Sequence, residues 1–127
     1  MNSRAKGKRG ELEAAAALTR IGIECRRSAQ YCGASGDADL VCEMALHFEI
    51  KNTERLNPYR FIEQAINDSR NTKRIPITMM KSNYRPWLIC LRMDDLPRLV
   101  KELTNGDTDI RRIMEGQADT PGEGLSR

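Results

Sequence analysis

From Lys8 to about Ile21 the apolar positions recur at helical spacing in an alanine-rich run. With Leu12 at zero on a helical wheel, Ala16 falls at about 40°, Ala15 at about 300° and Leu18 at about 240°, so the apolar arc takes in Glu11 at about 260°. Glu13 falls at about 100°, beside Arg20, on the opposite side. Glu13 is therefore expected on the surface. Glu11 is expected at the edge of the buried face, where a carboxylate needs a partner. Gly22 should end this helix, and Ile23 to Ser28 read as a strand.

A turn-rich stretch from Gln30 to Gly36 precedes a strand from Ala38 to about Glu43. Met44 and Ala45 make a short connection to a third strand, Leu46 to Lys51, so these two strands should pair as a hairpin. Strict alternation places Leu46, Phe48 and Ile50 on one face of the third strand and His47, Glu49 and Lys51 on the other. His47 then reads as a strand-surface residue. Asn57-Pro58 forms an N-cap and first-turn pair for a helix carrying Tyr59, Ile62, Ala65 and Ile66 to about Asn71. Ile75 to Lys81 is a strand, Asn83 to Pro86 its turn, and Trp87 to Met93 a further strand. Asp94 should cap a last helix through Leu103, ended by Asn105-Gly106, with Pro97 early enough to be tolerated. Met79, Met80 and Met93 read as core filler and Trp87 as a core aromatic. The order implies an α/β fold: a single domain over residues 1–104 with a central mixed β-sheet flanked by helices, a basic N-terminal arm over residues 1–9, and a polar tail over residues 105–127.

Composition narrows the class. At 127 residues and 14.4 kDa the chain suits one domain, and 39% apolar against 31% charged residues, with mean hydropathy −0.60, describes a soluble globule rather than a disordered chain. No apolar run has the length of a membrane span and no signal-peptide pattern opens the chain, so no membrane partner and a cytoplasmic location are expected. Cys25, Cys32, Cys42 and Cys90 lack the spacing of a zinc site; Cys42 and Cys90 lie in apolar runs and read as small core residues.

The net charge of +3 says little until it is resolved along the chain. Residues 1–35 carry seven basic and three acidic groups, residues 36–53 one basic and four acidic, residues 54–104 ten basic and six acidic, and residues 105–127 three basic and five acidic. A compact acidic centre is thus flanked by two basic stretches. Basic flanks attract a polyanion, whereas clustered carboxylates repel one unless a cation lies between them. Asp39 opens one strand and Glu49 and Lys51 close the next, so a hairpin would bring them to one end of the sheet. Two carboxylates there can hold a divalent ion through hard oxygen ligands. Lys51 follows on the same strand face, about 6–7 Å along, where a cation can stabilise charge developing on a phosphate. Glu49-Ile50-Lys51 is the only acid-x-Lys triplet in the chain.

Glu11 after Gly7-Lys8-Arg9-Gly10, the segment Ser35-Gly36-Asp37-Ala38-Asp39-Leu40-Val41, and Glu49-Ile50-Lys51 together resemble the three motifs of the PD-(D/E)xK nuclease superfamily. The resemblance is nearest to its small Holliday-junction-resolvase-like and phage-encoded members, and covers about residues 6–100. It implies a restriction-endonuclease-like core of order α-β-β-β-α-β and a phosphodiesterase dependent on Mg²⁺ or Mn²⁺. Asp39 and Glu49 would be metal ligands, Lys51 the catalytic lysine, and Glu11 would complete or polarise the metal site. Ala38 stands where the family's proline would be. Asp37 competes with Asp39 for the ligand role; Asp39, followed directly by strand hydrophobics, is favoured. Related nucleases suggest an accessory contact for Gln64, which the wheel leaves at the border of its helix's apolar arc.

Lys6, Lys8 and Arg9, Ser35 in the turn, and Lys81 and Arg85 around the Asn83–Pro86 turn are candidate contacts to DNA. The resulting expectation is an endonuclease of branched or duplex DNA, acting as a homodimer because a junction presents two strands to cut. The competing reading is a non-catalytic nucleic-acid-binding module whose acidic centre is incidental. A nuclease of the same fold in restriction, repair or RNA cleavage is a third.

Overall fold

The computed structural model describes residues 3–28 and 38–106. Helix α1 (Ser3–Arg20) is followed by strands β1 (Cys25–Arg27), β2 (Leu40–Cys42) and β3 (Leu46–Asn52), helix α2 (Pro58–Asp68), strands β4 (Ile75–Lys81) and β5 (Leu88–Cys90), a 3-10 turn (Met93–Asp95) and helix α3 (Leu96–Gly106). One sheet runs β1-β2-β3-β4-β5. β3 and β4 are parallel and the remaining neighbours antiparallel, so α2 is the crossover that a parallel pair requires. This is the expected mixed α/β architecture. The expectations for Cys32, Ser35 and Asp37 and for the tail from residue 107 onward lie outside the described residues. No helix among the described residues is long and apolar enough to cross a membrane.

α1 begins five residues earlier than its periodicity predicts, so Lys6, Lys8 and Arg9 stand on the helix rather than on an arm before it. It ends as Gly22 dictates. The Gly22 and Ile23 N–H groups donate to Thr19 O at 3.0 Å and Leu18 O at 2.9 Å, with Gly22 at φ 104°, which closes the last turn as a Schellman motif and buries Ile23. The predicted phase of α1 needs correction. Ala14, Ala15 and Leu18 are buried while Leu12, expected within the apolar arc, is 50% exposed. The inward stripe is therefore centred near Leu18 and Glu11. Alanines carry too little surface to fix a wheel, and tertiary packing sets the phase.

β1, β2 and β5 are three residues each, shorter than predicted, although Ser28 N–H to Asp39 O and Asp39 N–H to Phe48 O extend the hydrogen bonding one residue beyond β1 and β2. α2 starts as expected, with Asn57 Oδ1 accepting from the Arg60 N–H at 3.2 Å and Pro58 in its first turn, but stops at Asp68 rather than Asn71, where Ser69 caps it. Asp94 does not cap the last helix. The buried acid is Asp95, which ends the 3-10 turn and pairs with Arg92 at 2.9 Å and Arg98 at 3.5 Å. Met93 is exposed, not core. The β2–β3 connection is tied by Arg74, whose Nη1 donates to the carbonyls of Cys42, Met44 and Leu46.

The sheet is covered on both faces. Phe48, Leu46, Leu40, Ile77 and Met79 join Ala14, Ala15 and Leu18 of α1 in the main core, against which Leu99 and Leu103 of α3 also pack. α2 contacts β3 and β4 from the other side, burying Ile62 and Ala65. Cys42 belongs to the main core and Cys25, its register partner on β1, packs against it. Leu18→Ala is expected to cost about 3 kcal/mol and Leu12→Ala less than about 1 kcal/mol, read as midpoint shifts in urea with unchanged slope. Similar costs at the two positions would contradict the observed phase of α1.

Candidate active site

β3, like β4, is a seven-residue strand paired on both sides, and its alternation fixes what each residue meets. Glu49 and His47 share a face, as predicted, but His47 is not a surface residue: both are 2% exposed. The prediction assumed one solvated face, whereas α2 lies over that face, as is usual beside a parallel pair. His47 Nε2 hydrogen-bonds Glu49 Oε2 at 2.9 Å. The other oxygen of Glu49 accepts from Gln64 Nε2 at 3.4 Å, and Gln64 Oε1 accepts from Lys51 Nζ at 2.7 Å. Lys51 Nζ also lies 5.6 Å from the centroid of the Phe61 ring. Gln64 on α2 thus links the second carboxylate and the lysine of the triplet.

Asp39 is brought to this strand by the hairpin. Its N–H donates to Phe48 O at 2.9 Å, and its Oδ2 accepts from the Ile50 N–H at 2.8 Å. The side chain therefore takes the place of a ladder partner just where β2 begins, and fastens onto the peptide between Glu49 and Lys51. Burial pushes the Asp39 carboxyl up, opposed by the Ile50 N–H; the Glu11 charge raises it further, while Lys51 and His47 lower it. Burial likewise raises Glu49, opposed by the His47 hydrogen bond and helped by the charges of Asp39 and Asp68. These acids feel one another.

Glu11 reaches the same region from α1. Gly10 is buried where α1 meets the end of β3, and a Cβ there would lie 3.4 Å from Asn52 Cβ, an ordinary van der Waals contact. The partner that Glu11 requires is Arg27 on β1, whose Nε donates to Glu11 Oε1 at 2.8 Å with both side chains largely buried. Sequence reasoning missed Arg27. The alternation of β1, which turns Cys25 and Arg27 inward and Arg26 outward, was the available signal.

A family model described as "Phage putative PDDEXK endonuclease" matches residues 2–119. The chain belongs to this nuclease family. No curated protein matches it. Among solved structures, it is similar to the Holliday junction resolvase Hjc of the archaeal hyperthermophile Archaeoglobus fulgidus, with a TM-score of 0.52 and 21% identity over 68% of this chain and 72% of that one. At that identity the likeness is one of fold.

Two further groupings stand out in the nuclease. Among the described residues, the three candidate ligands whose atoms lie within 4.8 Å of one another are His47, Glu49 and Asp68, a set that includes only Glu49 of the expected three. Of the expected DNA contacts, Lys6 and Arg9 of α1 and Lys81 of β4 line one groove with Asn52 and Tyr84, with Glu13 also on its wall. Lys81 Nζ is 5.6 Å from the centroid of Trp87, which packs partly into the core. Lys8 and Arg85 are exposed and do not line the groove.

Because Asp39 and Glu49 hold protons more tightly folded than unfolded, their contribution to stability falls as pH rises above their ordinary values of 3.8 and 4.5. Asp39→Asn, whose amide oxygen can still accept from Ile50, should therefore gain stability relative to the wild type as pH is raised from about 4 to 7 without divalent metal. Thermal melts across this range check it; a constant difference would contradict the assignment.

Proposed function

We propose that this nuclease is a metal-dependent endonuclease that hydrolyses phosphodiester bonds in DNA, with branched DNA as its substrate. The observation that carries the reading is the fastening of Asp39 to the Ile50 peptide, which sets one carboxylate beside the strand segment that bears Glu49 and Lys51. The donor set fits Mg²⁺ or Mn²⁺. Asp39 and Glu49 offer hard oxygens, and both are raised by burial and by neighbouring acids, a charge excess that a dication would relieve. Asp39 and Glu49 would hold the ion, with Glu11 adjusting the local charge through its pair with Arg27. When bound, such an ion supplies positive charge to phosphate oxygens and acidifies water.

The chain's own groups do the rest. Gln64 holds the Lys51 ammonium by hydrogen bonding, and the Phe61 ring lies beside it, so that its charge is positioned before substrate arrives. Burial of Glu49 and His47 beneath α2 excludes bulk water on that side, which strengthens each electrostatic contact. Lys6, Arg9 and Lys81 offer the groove as a track for backbone phosphates, and Lys8 and Arg85 add exposed charge.

The branched substrate is supported by the likeness in fold to a Holliday junction resolvase. A homodimer follows from the same substrate, since two strands must be cut, and Leu88, Ile89, Met93, Leu96 and Val100 along β5, the 3-10 turn and α3 are exposed apolar side chains that a second copy could cover. A second reading places the ion on His47, Glu49 and Asp68, whose ligand atoms converge; a nitrogen ligand would then favour Mn²⁺ or Zn²⁺ over Mg²⁺.

Cleavage of four-way junction, duplex and single-stranded DNA in Mg²⁺ or Mn²⁺ tests the proposal. Asp39→Asn should abolish metal-dependent cleavage and Lys51→Ala should lower its rate by about 10²-fold or more, with DNA binding retained. Wild-type rates in both variants would overturn these catalytic roles, and no cleavage of any of the three DNAs by the wild type would leave a non-catalytic DNA-binding module. Loss in His47→Ala and Asp68→Asn with full activity in Asp39→Asn would favour the second reading.

A further inference from the structure

Tyr84 has no role in the site described so far, yet it combines three features that rarely coincide. Its backbone has φ 62°, and it is the sole non-glycine residue among those described to lie in the left-handed region. An aromatic residue there is strained, and such strain persists where the surrounding structure imposes it. Its ring is completely exposed, although an aromatic ring gains most from burial. It also lines the groove that contains Lys6, Arg9 and Lys81.

The surrounding turn is anchored on several sides. The Arg85 N–H donates to Ser82 O at 3.2 Å, Asn83 Nδ2 donates to the Glu54 carboxylate, and Lys81, three residues before Tyr84, pairs in register with Asn52 on β3. Asn52 directly follows Lys51. The turn therefore holds the Tyr84 ring close to the catalytic end of β3 on a support tied to that strand and to the loop after it. Nothing among the described residues covers the ring.

We infer that Tyr84 is a base-stacking platform: its ring takes an unpaired or unstacked nucleotide base while the lysines and arginine of the groove take the adjoining phosphates. Cations that follow a backbone beside an exposed aromatic ring form the arrangement that binds nucleotides outside a continuous stack. A continuous duplex keeps its bases paired and offers the ring no face, whereas a branch point, bulge or single strand does. The inference rests on the nuclease reading and deepens it, because it gives a physical basis for choosing DNA with exposed bases over plain duplex.

The test measures binding by the full-length protein without divalent metal, so that it does not depend on cleavage. The probes are a continuous duplex, the same duplex with one unpaired 2-aminopurine, and a single strand carrying 2-aminopurine. Tyr84→Gly removes the ring and suits the left-handed backbone, so the turn should persist; Tyr84→Phe keeps the ring. The wild type and Tyr84→Phe should quench the 2-aminopurine and prefer the unpaired-base DNA to the duplex, and Tyr84→Gly should lose the quenching and about ten-fold or more of that preference. An undiminished preference in Tyr84→Gly, or an equal loss of affinity on all three DNAs, would overturn the stacking role and leave the nuclease reading intact. Failure of the wild type to bind any of the three would overturn both.

Discussion

Taking a carboxylate out of water on the central strand of a sheet covered on both faces costs several kcal/mol unless other groups meet it. Glu49 is in that position, and the elements around it are arranged to meet it. His47, two residues earlier on the same face, hydrogen-bonds one oxygen, and Gln64 from α2 approaches the other. Gln64 in turn holds Lys51, so one glutamine couples the acid and the cation of the triplet through a helix that the β3–β4 crossover requires in any case. The crossover that makes β3 and β4 parallel also covers Glu49 and His47.

The same constraint accounts for the other side of the site. A second acid beside Glu49 would be unfavourable without compensation, and Asp39 receives it from the Ile50 N–H. A third, Glu11, arrives on the helix that packs at Gly10 against the end of β3 and is balanced by Arg27 from the edge strand β1. Each carboxylate has a partner, yet Asp39 and Glu49 both remain biased toward protonation. A bound cation would relieve that bias.

Much of this was legible in the chain because strands announce themselves by alternation. β4 matches its predicted span, β3 exceeds it by one residue, and the placement of Glu49 and Lys51 on one face follows from a period of two. Asn57-Pro58 fixed the start of α2 because a cap is a local device. What could not be read depends on neighbours distant in sequence. The phase of α1 does not follow from its periodicity because alanine says little about which side faces inward, and the observed stripe has Glu11 near its centre rather than its edge. Alternation makes His47 a surface residue because it reports two faces but not whether a helix covers the second. The salt bridge from Arg27 and the bond from Asp39 to Ile50 join elements eleven to sixteen residues apart, and no local pattern encodes them.

The central claim is that a divalent ion is held by Asp39 and Glu49 at the end of β3. Diffraction from Mn²⁺-soaked crystals at an energy where manganese scatters anomalously locates such an ion without reference to activity. The account predicts an anomalous peak within coordination distance of both the Asp39 and Glu49 carboxylates, absent in Asp39→Asn. A peak held by His47, Glu49 and Asp68 with Asp39 uninvolved, or no peak at saturating Mn²⁺, would contradict it.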